Sequence, residues 1–214
     1  MLNVKQSSIA SISSYTSISD VGNLKVALNK GLDNGLTINE LKEIFIQLIA
    51  YCGFPRGLRG ISVCLEVLDE RKAKGIRDEQ GWETSPVTDI RSKYDRGEEV
   101  QMLVSGWSKE ALRSGMLGFY PKIDVVLKEY VFADIYDSDV LNYADREIAT
   151  VSAQMSMDGI EPMVQAHINA AFNVGLDEEE VRQLIDIIER QFDEKRANKC
   201  RTMLDNVLSA RSNR

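Results

Sequence analysis

The sequence is poor in the residues that form disulfides or hold metals: its 214 residues include three cysteines and one histidine. An odd and sparse set of cysteines is typical of a reducing compartment rather than of a disulfide-stabilised secreted domain. We therefore expect a cytoplasmic protein. Metal binding needs several ligands, and because the chain has no cluster of His or Cys residues we expect no metal site.

Positive charge and long apolar stretches are also scarce. Lys and Arg number 26 against 33 for Asp and Glu, which gives a formal charge of −7. A domain that binds duplexes has a basic surface, so we expect no nucleic-acid partner. The most apolar stretch, residues 44–54, is about half the length that crosses a bilayer and contains Gln47, so we expect no membrane association. The serine-rich N-terminal run has no continuous apolar block and does not indicate a signal peptide.

Helical periodicity is the main structural signal in the chain, because apolar residues recur three and four positions apart in most of it. No segment alternates with period two for more than a few residues. Residues 76–106 have no sustained periodicity and predict a long loop. The sequence therefore predicts an all-α fold in a single domain, residues 1–214. The predicted helices cover residues 20–34, 37–52, 55–74, 122–136, 139–157, 161–174 and 178–192, with a last one through Leu208.

An internal repeat appears when the chain is shifted by 140 positions. Each copy consists of a helix, a glycine that ends it, a capping box and a second helix. The pattern predicts two related helical hairpins, in a first repeat at about 20–75 and a second at about 139–210, joined by a connecting segment at 76–138. Two unrelated amphipathic hairpins with glycine caps would look similar, so this alternative stays open. The matched pairs are Gly35 with Gly175, Leu36 with Leu176, Thr37 with Asp177, and Glu40 with Glu180.

Three motifs resemble the signature of the carboxymuconolactone decarboxylase family, whose members are related to alkylhydroperoxidase D. The first reads Asn-Gly-Leu-Thr-x-x-Glu-Leu-x-Glu-x-x-x-Gln-x-x-x-Tyr-Cys-Gly-Phe-Pro over residues 34–55. The others are Arg-Glu-Ile-x-Thr at 146–150 and Gln-x-His-x-x-x-Ala-x-x-x-Gly-Leu at 165–176. The resemblance implies an alkylhydroperoxidase D-like helical bundle. It also implies trimers or hexamers whose pockets lie where helices, and often subunits, meet.

The sequence departs from the family pattern in two respects. The hydroperoxidase branch uses a Cys-x-x-Cys pair with nearby Glu and His, whereas the positions three residues before and after Cys52 are Ile49 and Pro55. The family histidine is present as His167 but is replaced by Ala27 in the first repeat, and the second repeat lacks the Tyr-Cys-Gly-Phe-Pro end. Each repeat thus keeps part of a site. We predict one composite site, built from the Glu43 helix and the His167 helix within or between subunits.

The candidate catalytic residues are Glu43, Tyr51, Cys52 and His167. Glu43, Gln47 and Tyr51 are four residues apart, so they share one helical face, which is either part of the site or a solvated polar face. Cys52 lies in the apolar stripe, where a small buried hydrophobic residue is the alternative to a reactive thiol. His167 also lies in an apolar stripe and is either a core residue or a catalyst; its ordinary pKa lies near neutrality.

Substrate binding is assigned to Gln47, Arg56 and Arg59. The two arginines are three residues apart on one helix face, where they either hold a substrate carboxylate or solubilise the surface. The leading hypothesis is a cofactor-independent decarboxylase that acts on a small carboxylated lactone or organic acid. Arg56 or Arg59 supplies the cation for the carboxylate, Tyr51 the donor for the enolate oxygen, and Glu43 or His167 the acid.

Two alternative functions remain open. The first is a peroxidase-like activity in which the Cys52 thiolate attacks a peroxide, which would need a lowered pKa and a resolving thiol. The second is a non-catalytic helical oligomer that binds a small ligand. Small residues beside His167, at positions 170 and 171, allow close helix approach, and together with the family resemblance they predict that the chain forms a homo-oligomer.

Overall fold

The computed structural model describes residues 1–213, and within that range every regular element is a helix and no strand occurs. The all-α prediction is confirmed. In chain order the helices are α1 (Val4–Ile18), α2 (Val21–Asp33), α3 (Ile38–Cys52), α4 (Phe54–Ala73), α5 (Lys93–Ser105), α6 (Lys109–Leu112), α7 (Gly115–Phe119), α8 (Pro121–Val126), a π-helix (Leu127–Ile135), α9 (Tyr143–Met155), α10 (Glu161–Asn173), α11 (Glu178–Gln191) and α12 (Glu194–Ser212).

The two predicted helical hairpins are α2 with α3 and α10 with α11. Gly35 and Gly175 have φ of +87° and +106°, a region that side chains disfavour, and this explains why glycine ends the first helix of each pair. Both capping boxes form, since the side chain of the cap accepts from the amide of Glu40 or Glu180 and that glutamate accepts in return. Descent from one duplicated hairpin stays a prediction.

Helix α1 forms from the serine-rich N-terminal run, where the sequence pattern predicts no helix. Its buried face carries serines and a threonine among the isoleucines. The hydroxyl of Ser8 donates to the carbonyl of Val4, and that of Thr16 donates to the carbonyl of Ile12. These bonds satisfy two of the buried hydroxyls inside the helix, whereas the buried Ser13 hydroxyl has no hydrogen-bond partner within residues 1–213.

The predicted loop at 76–106 is wrong over its second half, because residues 93–105 form α5. The buried face of α5 combines Gly97, Glu98 and Gln101 with Val104, so its apolar stripe is too short to reveal it. Glu98 is buried because it pairs with Lys128, whose ammonium lies 3.2 Å from a Glu98 oxygen. This ion pair adds to the apolar contacts that Val104 of α5 makes with the π-helix.

The preceding segment, residues 76–92, has no helix but is fixed to the start of α3. The amides of Ile38 and Asn39 donate to the carbonyls of Glu79 and Gln80 at 2.9 and 3.0 Å. The buried Arg71 side chain donates to both carboxylate oxygens of Asp78 in the same segment. The segment therefore holds the helix that carries Glu43.

The predicted helix at 122–136 divides into α8 and the π-helix. Gly97 of α5 packs so closely on the π-helix that a Cβ atom there would lie 1.9 Å from the carbonyl oxygen of Lys128. At the end of the π-helix the amide of Tyr136 donates to the carbonyl of Val131, five residues back, at 3.1 Å. π-Helical turns are rare and frequently occur at functional sites.

Helix α9 lies in the centre of the fold, packed against α1, α3, α10 and α11. Residues 146–155 of this helix are all buried, which includes the charged pair Arg146 and Glu147. The main apolar core is formed by α1 to α4 and α9 to α12, and a smaller one joins α5, the π-helix and Ala170 of α10. Within residues 1–213 no helix combines the length and apolar composition needed to span a bilayer.

Candidate functional site

A buried polar cluster lies where α3, α9, α10 and the end of the π-helix meet. Arg146, Glu147, Gln47 and Thr150 have no measurable exposure to solvent. Burying charge without partners is costly, so each of these groups must be paired or hydrogen-bonded. We call this set the α9 cluster; its members are Glu43, Gln47, Tyr51, Tyr136, Arg146, Glu147, Thr150 and His167.

Arg146 connects α9 to α3. Its Nη2 atom lies 2.8 Å from Oε2 of Glu43 and also donates to the carbonyl of Ser138 at 2.9 Å, while Nη1 donates to Oε1 of Gln47 at 3.1 Å. The guanidinium carbon lies 5.5 Å from the ring centre of Tyr136. Arg146 is therefore held on several sides, and its charge is balanced by Glu43, whose side chain is 19% exposed.

Gln47 makes three hydrogen bonds to α9. Besides accepting from Arg146, it donates through Nε2 to the Arg146 carbonyl at 2.7 Å and to Oγ1 of Thr150 at 2.8 Å. Both hydrogens of the Gln47 side-chain amide are thus used, and its oxygen accepts a hydrogen bond from a charged donor. This residue fixes α3 on α9, so the structure gives Gln47 a role in building the site.

Glu147 and His167 form the chemically most informative pair of the cluster. Nδ1 of His167 lies 2.9 Å from Oε2 of Glu147, and the Tyr136 hydroxyl donates to Oε1 of the same carboxylate at 2.8 Å. The His167 side chain is 18% exposed, and its Nε2 atom has no hydrogen-bond partner in the part of the chain that the structure describes. A carboxylate that orients one imidazole nitrogen leaves the other free to exchange a proton with a ligand.

Tyr51 of α3 packs against the pair of Glu147 and His167. Its ring meets the His167 ring edge to face, with centroids 5.1 Å apart and an angle of 86° between the planes. Burial raises the pKa of Tyr51 well above its usual range, and the negative charge of Glu147 adds to this effect. The Tyr51 hydroxyl therefore keeps its proton at neutral pH and acts as a hydrogen-bond donor.

The structure thus brings together four of the predicted site residues, Glu43, Gln47, Tyr51 and His167, and they come from both hairpins. Within one chain, Tyr51 of the first hairpin touches His167 of the second. The link from Glu43 to His167 runs through two neighbouring residues of α9, Arg146 and Glu147.

Cys52 lies on the apolar side of α3, where it packs against the main core. Its Sγ atom lies 3.0 Å from the Leu48 carbonyl, and burial raises the pKa of its thiol to about 11. Cys64 and Cys200 are buried, and burial raises the pKa of each thiol to about 11 as well. A thiol with such a pKa is protonated at neutral pH, so the structure does not provide the activated thiolate that a peroxidase needs.

Arg56 and Arg59, the predicted substrate-binding arginines, make no contact with the α9 cluster within residues 1–213. Both are exposed on α4; Arg59 pairs with Glu66 at 3.2 Å, and Nη1 of Arg56 lies 3.5 Å from the sulfur of Met157. The helix turns their guanidinium groups toward solvent, while Gly57 and Gly60 face the neighbouring elements. Their role in substrate binding stays a prediction.

Four members of the cluster were not predicted as site residues: Tyr136, Arg146, Glu147 and Thr150. Arg146, Glu147 and Thr150 belong to a motif that resembles the family pattern, and adjacent charged residues inside an otherwise apolar helix are an available signal for a buried polar site. Nothing in the local sequence marks Tyr136, because its position depends on how the π-helix packs.

The chain matches no protein-family model and no curated protein. Within residues 1–213, no group of three or more His, Cys, Asp or Glu side chains is arranged to hold a metal ion. What the α9 cluster itself offers is acid–base chemistry: one imidazole oriented by a carboxylate, with a protonated phenol beside it.

Proposed function

We propose that the protein is an enzyme similar to the carboxymuconolactone decarboxylases, which acts without a cofactor on a small carboxylated lactone or related organic acid. The observation that supports this most strongly is the 2.9 Å contact between Nδ1 of His167 and the buried Glu147 carboxylate. The substrate class comes from the motif resemblance, and the assignment of residues comes from the geometry of the α9 cluster.

The proposed reaction starts with a protonated His167, whose charge attracts the substrate carboxylate and is stabilised by Glu147. The bond between the carboxylate carbon and the ring breaks, CO2 leaves, and the electron pair moves into the conjugated carbonyl to give a dienolate. The Tyr51 hydroxyl donates a hydrogen bond to the enolate oxygen. Nε2 of His167 then gives its proton to the ring carbon and is reprotonated from solvent, so one proton is consumed for each CO2 released.

The test is an assay of purified protein on a panel of carboxylated unsaturated lactones, with released CO2 measured directly. We expect His167→Asn to lower turnover by about 10²-fold or more, the usual contribution of a positioned acid or base. Arg190→Met is the control at an exposed arginine of α11 outside the cluster, and we expect its rate to equal that of the unmodified protein. A His167→Asn rate equal to wild type, or no turnover of any member of the panel, would contradict the proposal.

The proposal includes self-association and a cytoplasmic location. Met163, one helical turn before His167, is 40% exposed, so a partner can cover the apolar surface next to the histidine. Cys52, Cys64 and Cys200 are free thiols, which fits a reducing compartment.

A further inference from the structure

We propose that Tyr136 is a positioning residue for the pair of His167 and Glu147. Its hydroxyl holds the Glu147 carboxylate so that Nδ1 of His167 carries a proton and Nε2 is left to exchange protons with a ligand. The inference rests on the proposed function for the reaction that Nε2 serves, whereas its geometry stands independently of any substrate.

The two oxygens of Glu147 have one close partner each. Oε1 accepts from the Tyr136 hydroxyl at 2.8 Å, and Oε2 faces Nδ1 of His167 at 2.9 Å. A carboxylate only accepts hydrogen bonds, so Nδ1 must be the donor in the second contact. Because the hydroxyl occupies one oxygen, the carboxylate cannot rotate without losing a hydrogen bond, and the imidazole is held with it.

Tyr136 is itself firmly held. It is 2% exposed, and its ring lies between those of Phe132 and Tyr143, at centroid distances of 5.2 and 5.8 Å. Its backbone amide donates a hydrogen bond to the Val131 carbonyl across the last turn of the π-helix. Burial and the charge of Glu147 raise the pKa of Tyr136 well above the usual range. The hydroxyl therefore stays protonated and donates a hydrogen bond.

Three other charged or titratable side chains lie around Glu147, and the hydroxyl of one of them, Tyr51, lies close to that of Tyr136. Tyr51 approaches from α3 and His167 from α10, while Arg146, its neighbour in α9, directs its guanidinium toward Glu43 and Gln47. The Tyr136 hydroxyl is therefore one of only two hydrogen-bond donors to the carboxylate within residues 1–213. Removing it destabilises the state in which Glu147 is ionised and His167 is neutral.

The experiment is nitrogen NMR of untagged protein labelled with ¹⁵N-histidine, in which the single histidine of the sequence gives one pair of ring signals. We expect the neutral ring of the unmodified protein to carry its proton on Nδ1. In Tyr136→Phe the carboxylate loses a donor, so the pair takes up its proton more readily and the titration midpoint rises by about one pH unit. Tyr143→Phe, which removes a hydroxyl from the adjacent ring, is the matched control and should leave the midpoint unchanged.

A second variant keeps the test decisive if Tyr136→Phe does not fold. In Glu147→Gln the Tyr136 hydroxyl takes the amide oxygen, so the amide nitrogen faces His167 and must donate to Nδ1. We expect the ring proton to move to Nε2 in this variant. A ring proton on Nε2 in the unmodified protein, an unchanged midpoint in a folded Tyr136→Phe, or a ring proton that stays on Nδ1 in Glu147→Gln would each overturn the inference.

These measurements need no substrate, so they separate this inference from the proposed function. If the ring signals behave as expected but no carboxylated lactone is turned over, the proposed function fails and the role of Tyr136 in orienting His167 stands. If turnover depends on His167 but the ring signals of His167 are unchanged in Tyr136→Phe, the inference fails and the proposed function stands.

Discussion

Nη2 of Arg146 lies 2.8 Å from Oε2 of Glu43. This ion pair joins α9 to α3 through two residues that are 103 positions apart in the sequence. The guanidinium is fully buried, whereas the Glu43 side chain reaches the edge of the cluster. Next to Arg146 in the same helix, Glu147 faces His167. Two consecutive residues of α9 therefore connect the candidate residues of one hairpin to the histidine of the other.

The first prediction concerns the stability that Arg146 provides. Arg146→Met leaves Gln47 and the Ser138 carbonyl without their charged donor, so we expect the free energy of unfolding to fall by about 3 kcal/mol or more. Urea denaturation followed by circular dichroism measures the change. Arg56→Met, which removes an exposed arginine, should change stability by less than about 0.5 kcal/mol. Equal values for the two variants would show that the buried ion pair contributes nothing.

Local signals in the sequence were sufficient for the helical hairpins. Glycine stops at Gly35 and Gly175 and capping boxes at Thr37 and Asp177 act within a few residues, so they can be recognised without knowing the tertiary fold. Helix α5 could not be predicted this way, because its buried side has little apolar surface and pairs with the distant Lys128. In α1, several of the serines that obscure the helical pattern donate to carbonyls of the same helix.

Some residues of the candidate site could likewise be predicted from local sequence patterns, and others could not. Residues in the α3 pattern and His167 could be predicted because they repeat at helical spacing or match a motif. Tyr136 could not, because its role depends on the packing of a π-helix that no local pattern marks. The role of Arg56 and Arg59 stays a prediction, because spacing fixes only that the two arginines share a helix face and not what that face meets.

The second prediction tests the close packing of α5 on the π-helix. A Cβ atom at Gly97 would lie 1.9 Å from the Lys128 carbonyl oxygen, so the backbone must move to admit it. We expect Gly97→Ala to lower the free energy of unfolding by about 1–3 kcal/mol. Gly22→Ala is the control: its Cβ would lie 3.9 Å from the nearest atom, at an exposed position of α2 where alanine is favoured by up to about 1 kcal/mol. Destabilisation by Gly22→Ala instead would contradict this account.

The third prediction concerns thiol reactivity. With a pKa of about 11, Cys52 is only about one part in a thousand thiolate at pH 8. We expect its alkylation by iodoacetamide, followed by mass spectrometry, to be slow at pH 8 and to accelerate about tenfold per pH unit up to pH 10. The same protein unfolded in urea should react much faster at pH 8, because the desolvation that raises the pKa is lost. Equal rates for folded and unfolded protein would mean that Cys52 is activated after all.

The fourth prediction is self-association through the surface around His167. Sedimentation velocity at micromolar concentration should show a species larger than the monomer. Met163→Glu places a charge on this surface and should shift the distribution toward the monomer. Met116→Glu, at an exposed methionine of α7, is the control of the same residue type and should not. A monomeric unmodified protein at these concentrations would contradict the prediction.

The last prediction compares two residues of α3 that differ in their relation to the cluster. Glu43→Gln keeps the shape of the side chain but removes the negative charge that balances Arg146. The excess positive charge beside Glu147 weakens its hold on a protonated His167, so we expect turnover of the carboxylated lactone to fall by about tenfold, which corresponds to about 1.4 kcal/mol of lost transition-state stabilisation. Cys52→Ser changes a protonated thiol on the apolar side of the same helix and should leave the rate close to that of the unmodified protein. Circular dichroism of both variants checks that they are folded. A peroxidase would reverse this order, because loss of the attacking sulfur abolishes the reaction whereas loss of a nearby carboxylate only slows it.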